Sequence, residues 1–411
     1  MLGVDEAVER ILALVRPCDP VSLPLRGARG MVLAREVIAP ENVPPFRNSA
    51  MDGYALLAAD TAPAGLETPV SLPVSGAVAA GDPPGAVLAP GAAIRIMTGA
   101  PMPAGADAVV RFEETDEGSI GRLPDRAFVA IHRAASPLDN VREAGEDVRA
   151  GSVLLEAGRA LRPADLGLLA AAGLTEAVVC RRPRVAILST GNEVVDPQGP
   201  LPPGAIRDSN ATTLAAMAES WGAEAFALGI ARDRLDHLAE RLAAARGADM
   251  IVTSGGVSLG DFDMVKDALR AAGDIAVWQV RMKPGKPLAF GRIGGAPFLG
   301  LPGNPVAAAV SFEIFGRPAI RRMLGFSDVA PATVDALLLE ELDNRGMRRH
   351  YVRAVVEQDA QGRWTARTAG AQGAGVLSSL SRANALLVLP ESVERAMPGE
   401  RYPAIMLDRA C

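Results

Sequence analysis

The clearest pattern of apolar and polar positions lies between residues 248 and 286. A short apolar run at residues 250–252 passes directly into Thr253-Ser254-Gly255-Gly256, which predicts a buried strand that ends in a tight turn. Asp261 and Asp263 then precede apolar residues at helical spacing, which predicts a helix with an acidic N-cap. Because glycine turns and helix N termini expose backbone N–H groups, this segment is suited to binding a phosphate-like anion. The loop matches neither a Walker A sequence nor the dinucleotide fingerprint.

The same alternation of strand and helix precedes this loop. Residues 184–188 predict a strand that enters a second turn at residues 189–193, and Asp208 is a candidate N-cap for the helix that follows. Residues 226–230 predict the next strand and residues 235–245 the next helix. Such alternation favours a parallel, doubly wound α/β sheet with helices on both faces. Ligands of these sheets lie beyond the carboxyl ends of the strands, where both glycine turns fall.

The N-terminal part of the chain predicts two helices on either side of a β-rich region. Residues 4–16 place apolar side chains at helical spacing, and residues 161–173 begin near a proline and end at a glycine, so we expect two helices that pack together. The region between them is rich in Pro and Gly and has short apolar runs at residues 93–97 and 108–111, which are typical of strands. We infer a β-rich insertion in a discontinuous helical domain, although a linear arrangement fits the same pattern.

The pattern changes again after the α/β unit. The stretch Leu301-Pro302-Gly303-Asn304-Pro305 introduces a helix at residues 306–324, and proline in its first turn leaves another helix N terminus near the glycine turns. Short runs then predict a small all-β C-terminal domain, at residues 336–339, 350–357, 363–367, 385–389 and 404–407. The predicted domains are a helical domain at 1–45 and 145–182, a β-rich insertion at 46–144, the α/β domain at 183–326 and the C-terminal β domain at 327–411.

Composition narrows the class of protein. No segment of the 411 residues approaches the roughly 20 apolar residues that a membrane span needs, and the acidic N-terminal stretch is unlike a signal peptide, so we expect a cytoplasmic protein. The three Cys residues lie far apart, which fits reduced thiols. The three His residues are isolated, and together with the Cys residues they give no zinc-binding pattern. The net charge of -6 offers no basic footprint for nucleic acid.

Eight motifs together carry a resemblance that extends over nearly the whole chain. They are SAMDGYA from Ser49, RIMTGAPMPAGADAVV from Arg95, REAGEDVRAG from Arg142, STGNEV from Ser189, DSN from Asp208, TSGGVSLGDFD from Thr253, MKPGKP from Met282 and LPGNPVAAAVSFE from Leu301. With them the chain closely resembles the molybdopterin molybdotransferases of the MoeA type, which also form the C-terminal part of gephyrin.

The resemblance implies a fold and a reaction. It implies a homodimer of elongated four-domain subunits, with a MogA-like α/β domain, a discontinuous helical domain and a small β-barrel-like C-terminal domain. The α/β domain of one subunit and the β-rich domain of the other would form each active cleft. There, adenylylated molybdopterin would be cleaved with Mg²⁺, molybdate would enter the dithiolene and AMP would leave. It also implies transient contacts with molybdopterin adenylyltransferase and with molybdoenzymes, and no membrane or nucleic-acid partner.

The resemblance also implies functional residues, each of which has a simpler structural interpretation as a turn, a helix cap or a solvated charge. Catalytic roles are implied for Asp52, Thr98, Asp147, Glu193, Asp233, Asp263 and Lys283. Substrate-binding roles are implied for Arg142, Thr190, Gly191, Asp208, Ser209, Ser254, Gly255, Gly256, Ser258, Lys286, Pro302, Pro305, Arg353 and Ser379. Glu193 and Asp263 would hold Mg²⁺, a hard ion that prefers carboxylates, phosphate oxygens and water.

Two groups of residues qualify this picture. Strand alternation predicts that Gln279, Arg281 and Lys283 share one face, a basic face that suits an oxyanion such as molybdate. Some family members carry a basic residue where this chain has Gln279, so Arg281 is a candidate replacement. Asp52, Thr98, Arg142 and Asp147 would come from the neighbouring subunit, and Arg348 and Arg349 lie near family pocket positions.

Other classes of function fit parts of the pattern. A gephyrin-like scaffold would bind peptides with the same domains, but the acids and lysines of the cleft favour chemistry. A nucleotide-dependent kinase is suggested only by Gly260-Asp261 after the glycine loop. Molybdopterin adenylyltransferases share the α/β domain alone, so the remaining domains favour the molybdotransferase.

Overall fold

The computed structural model describes residues 1–120, 126–256 and 273–407. The chain begins with helix α1 (Val4–Leu12), followed by strands β1 (Pro20–Pro24) and β2 (Val37–Ile38). The apolar stripe of α1 is buried in the same core as Phe315 and Ile320 of the α/β unit. The prediction that α1 packs with the second long helix is therefore wrong, because α1 docks on the α/β unit instead.

The β-rich insertion follows as predicted and is built on a five-stranded sheet. Its elements are β3 (Asn48–Ser49), β4 (Gly53–Leu56), β5 (Val70–Val78), β6 (Ala93–Ile96), β7 (Ala108–Arg111), α2 (Glu117–Ile120), β8 (Phe128–Ile131) and β9 (Val141–Arg142). The sheet order is β7-β4-β6-β5-β8. Tyr54 and Leu56 of β4 are buried in one core and Ala55 in another, so both faces of this interior strand are covered.

The chain returns through β10 (Val153–Leu155), helix α3 (Pro163–Ala171) and β11 (Glu176–Cys180). Strand β10 pairs with β2, and β11 pairs with β1, so the chain enters and leaves the insertion at neighbouring strands. This pairing supports an insertion over a linear arrangement. Only α3 contributes a helix to the core of this region, where Leu169 packs with strand residues such as Val179. The helical domain predicted from the pattern therefore contains paired short strands in addition to its helices.

The α/β unit holds most of the chain's parallel strands. Its elements are β12 (Arg184–Thr190), β13 (Val194–Val195), β14 (Ile206–Arg207), α4 (Ser209–Ser220), β15 (Glu224–Ala231), α5 (Leu235–Ala243), β16 (Met250–Ser254), β17 (Gly273–Gln279), β18 (Met282–Lys283), β19 (Pro287–Ile293), β20 (Ala296–Leu301), α6 (Pro305–Ser311) and α7 (Arg317–Met323). A π-helical turn, Phe312–Gly316, joins α6 to α7 in one continuous helix. The helix predicted after Asp261 and Asp263 lies outside the described residues.

The main sheet is mixed, which corrects the prediction of a parallel sheet. Its order is β15-β12-β16-β20-β19-β17, and the first four strands are parallel. Strand β19 pairs antiparallel with β20, and the edge strand β17 pairs antiparallel with β19. The reversal occurs because Gly294 and Gly295 adopt positive φ angles of 56° and 87°, which close a two-residue hairpin between β19 and β20.

The segment after β17 changes sheets. Strand β17 ends at Gln279, and β18 pairs with the C-terminal domain rather than with the main sheet. Between them, Leu2 donates its N–H to the Gln279 carbonyl and accepts one from Arg281 at 2.8 and 2.9 Å. The prediction that Gln279, Arg281 and Lys283 share one strand face is therefore wrong, because no single strand carries all three.

The C-terminal domain is a small closed barrel. It contains β21 (Thr333–Leu338), β22 (Leu342–Asp343), β23 (Arg349–Gln358), β24 (Trp364–Thr368), α8 (Leu377–Arg382), β25 (Ala385–Leu389), β26 (Arg395–Ala396) and β27 (Arg401–Met406). The ring runs β23-β24-β21-β27-β25, and β25 pairs back with β23. Helix α8 is an addition to the predicted all-β pattern. In the described residues, no helix of this or any other unit is long and apolar enough to cross a membrane.

Candidate active site

The carboxyl ends of three parallel strands place their loops side by side. Ser189 of β12 lies opposite Ser254 of β16, which in turn lies opposite Leu301 of β20. The loops that follow enclose a pocket of about 460 Å³, which we call the acidic pocket. It is lined by Ser189, Thr190, Gly191, Glu193, Val194, Ile206, Arg207, Asp208, Ser209, Asn210, Asp233, Ser254, Gly255, Gly256, Gly303, Asn304 and Pro305. Ten residues with predicted roles therefore meet here, although their roles remain predictions.

Glycines allow the loops to approach one another at backbone distance. Gly255 has a φ of 93°, and a Cβ atom on it would lie 2.7 Å from Thr190 Oγ1 and 2.8 Å from the Thr190 carbonyl oxygen. Gly191 has a φ of 141°, and a Cβ atom there would lie 2.8 Å from the Glu193 carboxylate. A side chain at Gly255 would force its loop away from Thr190, and a side chain at Gly191 would displace the Glu193 carboxylate. Glycine is therefore required for packing as well as for exposing N–H groups to a ligand.

Asn210 holds the three loops together. Its Nδ2 donates to Ser254 Oγ at 2.6 Å and to the Gly303 carbonyl at 2.7 Å, so the first turn of α4 is tied to the ends of β16 and β20. Thr190 Oγ1 adds a bond to the Ser254 carbonyl at 3.3 Å. The sequence predicts Asn210 only as part of a helix-capping segment at residues 208–210, and it predicts no role for this residue in linking the loops. Its position one residue after Ser209, at the start of a helix beside the strand ends, is the signal that could have identified it.

Three carboxylates face the acidic pocket from separate loops. Asp208 is the N-cap of α4 and accepts the Ala211 N–H at 3.0 Å, so its structural interpretation as a cap holds while it also lines the pocket. Asp233 precedes α5, and its N–H donates to Asn192 Oδ1 at 3.2 Å. Glu193 lies over Gly191. Within the described residues, no three such groups are close enough to form a ready-made metal cluster.

A second pocket, of about 330 Å³, adjoins the first and carries the opposite charge. We call it the basic pocket; it is lined by Lys283, Pro284, Gly285, Lys286, Pro287, Pro302, Gly303, Asn304, Ala307, Arg348, Gln372 and Ala374. Its three cations come from both the α/β unit and the barrel, and no carboxylate is among these lining residues. Gly303 and Asn304 line both pockets. The two pockets thus form one cleft with an acidic and a basic end.

A neutral histidine lies beside the cations of the basic pocket. His350 is opposite Lys283 in the strand pairing and is only 3% exposed. Burial, with the positive charges of Lys283, Arg353 and Arg348, lowers the pKa of His350 to about 3. Both ring nitrogens lack a hydrogen-bond partner in the part of the chain that the structure describes. The ring therefore stays uncharged at neutral pH and adds no positive charge to the pocket.

Arg353 and Ser379 lie behind the basic pocket rather than on its surface. Arg353 is fully buried, and burial lowers its pKa. Its Nε donates to Ser379 Oγ at 3.2 Å, and its Nη2 donates to the Gly373 carbonyl at 3.0 Å. These bonds hold the loop that carries Gln372 and Ala374 to the basic pocket. Among the described residues, Arg353 and Ser379 therefore contact this loop and do not line the basic pocket themselves.

Two further arginines, Arg349 and Arg281, lie outside both pockets. Arg349 makes a bidentate ion pair with Asp5 at 2.6 and 2.9 Å, which ties the barrel to α1. Arg281 is exposed, with Nη2 3.8 Å from a Cβ built on Gly3, and it lines neither pocket. The hypothesis that Arg281 replaces the basic residue absent at Gln279 is therefore not supported. Arg348 supplies the cation that the barrel contributes.

Within one chain, the predicted residues of the β-rich insertion line neither pocket. Asp52 Oδ1 accepts the N–H and the hydroxyl of Thr98 at 2.7 and 2.8 Å, so these two residues form a pair. Arg142 and Asp147 are exposed nearby in the sequence, on β9 and in the following turn. The two remaining predictions, Ser258 and Asp263, lie outside the described residues.

Comparisons with known proteins find relatives along nearly the whole chain. The profile of the MoeA N-terminal region (domain I and II) matches residues 2–173, that of the "probable molybdopterin binding domain" matches 186–322, and that of the MoeA C-terminal region (domain IV) matches 335–407. The molybdopterin molybdenumtransferase 2 of Mycobacterium tuberculosis is 41% identical over 97% of this chain and 98% of its own length. The molybdopterin molybdenumtransferase of Haemophilus influenzae is 35% identical over 97% of both chains.

A solved structure shares the whole architecture. The molybdopterin biosynthesis MoeA protein from Pyrococcus horikoshii superposes with a TM-score of 0.85 at 30% identity and covers 99% of both chains. The likeness therefore includes the α/β unit, the insertion and the barrel rather than one domain alone. By sequence and by structure, the chain belongs to the MoeA family of molybdopterin molybdenumtransferases.

Proposed function

We propose that the protein inserts molybdate into adenylylated molybdopterin and releases AMP, as a step of molybdenum cofactor biosynthesis. The observation that carries the proposal is the division of the cleft, in which an acidic pocket with glycine turns adjoins a basic pocket through Gly303 and Asn304. A substrate with a pyrophosphate at one end and an oxyanion partner at the other needs these two environments together. The relatives from Mycobacterium tuberculosis and Haemophilus influenzae are named as transferases of the same type.

The acidic pocket suits the nucleotide and pyrophosphate part of the substrate. Gly255 and Gly256 have positive φ angles and stand beside the first turn of α4, where backbone donors favour phosphate. Val194 and Ile206 supply an apolar wall for a flat ring. The arrangement orients the phosphates towards the carboxylates of the same pocket.

The donor set of this pocket fits a magnesium ion. Glu193 and Asp233 present carboxylate oxygens from separate loops, and Asp263 is the third candidate by family resemblance. Mg²⁺ at this site would be held by these carboxylates together with substrate phosphate oxygens and water, which are the ligands that this ion prefers. When bound, Mg²⁺ would offset the charge that develops on the phosphate.

The basic pocket suits molybdate. Lys283, Lys286 and Arg348 converge without a lining carboxylate, and such cations bind and orient an oxyanion. Because His350 remains neutral behind them, the charge of the pocket is set by these three side chains. The pocket would hold molybdate next to the pterin end of a substrate whose nucleotide end occupies the acidic pocket.

We further propose a homodimer in which the insertion of one subunit completes the cleft of the other. Supporting this is the position of Asp52 and Thr98, a hydrogen-bonded pair that lines neither pocket of its own chain. Asp52→Ala chains and Glu193→Ala chains, each with only a small residual rate alone, should regain activity when mixed, because each mixed dimer has one intact composite site. Random mixing gives about a quarter of wild-type activity if sites are independent. No recovery in dimers shown by differential tags to have mixed would place both groups in one chain's site.

The reaction itself is tested by product analysis. Purified protein, adenylylated molybdopterin, Mg²⁺ and molybdate should yield AMP and material that activates a cofactor-free molybdoenzyme. Omitting molybdate should abolish activation. Failure to produce either product would refute the proposed reaction, and adenylylated product formed from ATP and molybdopterin would assign an adenylyltransferase instead.

A further inference from the structure

A buried charge cluster lies directly beneath the Asp52–Thr98 pair. Glu117, whose side chain is 1% exposed, accepts the Tyr54 hydroxyl proton in a hydrogen bond of 2.6 Å. It also accepts two N–H bonds from the Arg95 guanidinium, at 2.8 and 3.1 Å. This carboxylate, which begins the short helix α2, therefore joins residues of two strands.

Those two strands are the ones that present the pair. Tyr54 of β4 and Arg95 of β6 are opposite each other in the antiparallel register. Asp52 precedes β4 by one residue, and Thr98 follows the end of β6 by two. Fixing the separation of Tyr54 and Arg95 therefore fixes the separation of the two strand ends where Asp52 and Thr98 meet.

Phe112 connects the cluster to the backbone of Asp52. The Arg95 guanidinium lies 4.3 Å from the centre of the Phe112 ring, and the Tyr54 ring meets the same ring edge-on at 5.6 Å. The Phe112 N–H donates to the Asp52 carbonyl at 3.3 Å. Strands β4 and β7 approach closely at Gly53, where a Cβ atom would lie 2.0 Å from the Val110 carbonyl oxygen.

We infer that Glu117 is a positioning residue for the reaction, which holds β4 and β6 so that Asp52 and Thr98 keep their mutual geometry. Removing its charge leaves the buried Arg95 guanidinium without this carboxylate. The backbone pairing of β4 with β6 remains, but the packing of Arg95 and Tyr54 against Phe112 loses the group that holds it. The inference rests on the proposed catalytic role of Asp52 and Thr98. Displacement of a catalytic group by about 1 Å can cost about 10²-fold in rate.

The test is a double-mutant cycle on AMP release. Glu117→Gln should lower kcat about 10- to 100-fold with little change in KM in the wild-type background. In an Asp52→Ala background the same change should alter the residual rate by less than about twofold, because it acts through Asp52. An equal fractional loss in both backgrounds, or no loss in the wild-type background, would overturn the inference.

The chain offers a matched control in a second buried pair. Arg317 donates to Glu313 at 2.6 Å, and both side chains are 3% exposed. Glu313→Gln should lower stability comparably, yet leave kcat within about twofold and show no coupling to Asp52. If Glu313→Gln reproduced the kinetic effect and coupling of Glu117→Gln, a general loss of stability would explain both and the inference would fall.

A physical measurement separates this inference from the proposed function. The Thr98 N–H donates to Asp52, so its hydrogen exchange, followed in a peptide that contains Thr98, should speed up in Glu117→Gln and not in Glu313→Gln. Unchanged exchange would refute the positioning role. Faster exchange without loss of AMP release would show that Glu117 holds the pair but that the pair does not serve catalysis, which would refute the proposed role of Asp52 and Thr98 and, with it, the inference. If Glu117→Gln does not fold, Tyr54→Phe removes one hydrogen bond and should change exchange in the same direction.

Discussion

Replacing Gly255 by alanine should damage the cleft through a backbone approach rather than through lost chemistry. The φ of 93° at Gly255 costs an alanine about 1–2 kcal/mol. Its Cβ atom would also meet two oxygens of Thr190 at 2.7 and 2.8 Å, and overpacking of this kind costs about 1–3 kcal/mol more. We therefore expect a loss of about 2–5 kcal/mol in the free energy of unfolding, from the sum of these two costs.

Gly295 provides the matched control. It lies in the same α/β unit with a φ of 87°, but a Cβ atom there meets nothing within 4 Å, so Gly295→Ala should cost only the conformational part, about 1–2 kcal/mol. The entropy that alanine removes from the unfolded chain is the same in both variants and cancels in the comparison.

Urea unfolding followed by the fluorescence of Trp221 and Trp278, which pack against the core of this unit, would measure the difference. AMP release should also fall in Gly255→Ala, because Thr190 and Gly255 must separate, and should persist in Gly295→Ala. Equal destabilisation by the two substitutions would refute the reasoning.

Three further predictions concern the cleft. Lys283→Ala should raise the molybdate concentration that gives half-maximal cofactor formation about tenfold or more while AMP binding is kept, since one charge-assisted contact is lost; unchanged molybdate dependence would place the oxyanion elsewhere. Asn210→Ala should weaken AMP binding and lower unfolding stability by about 1–3 kcal/mol, because Ser254 and Gly303 lose their shared donor; wild-type values for both would contradict this. Because the folded pKa of His350, about 3, is below its unfolded value of 6.5, the unfolded state binds the proton first on acidification. Stability should thus fall by about 1.4 kcal/mol between roughly pH 7.5 and pH 5.5, and His350→Leu should lack that component in urea titrations; identical pH profiles would exclude it.

Local pattern accounts for the elements of the α/β unit that carry the cleft. Strands β12 and β16, the glycine turns after them and the Asp208 cap all follow from short runs of residues whose spacing sets their own conformation. The eight sequence motifs gave information that local pattern does not, because they identified the family before any contact was known. Most residues that line the acidic pocket follow parallel strands, and these residues meet because the carboxyl ends of parallel strands lie at one edge of the sheet.

Contacts between distant segments could not be derived in this way. The docking of α1 and the pairing of β1 with β11 depend on which surfaces fit each other, and no local spacing encodes that fit. The bridge made by Asn210 has the same origin, because its two acceptors, Ser254 and the Gly303 carbonyl, belong to segments far along the chain.

The arginines show the distinction most directly. Arg281, Arg348, Arg349 and Arg353 carry the same charge in the sequence, yet only Arg348 lines the basic pocket, while Arg349 pairs with Asp5 and Arg353 is buried behind a loop. The sequence by itself determined the family, the order of elements and the glycine turns. The tertiary structure decided which charges face the cleft, because that depends on how the chain crosses between the α/β sheet and the barrel after Gln279.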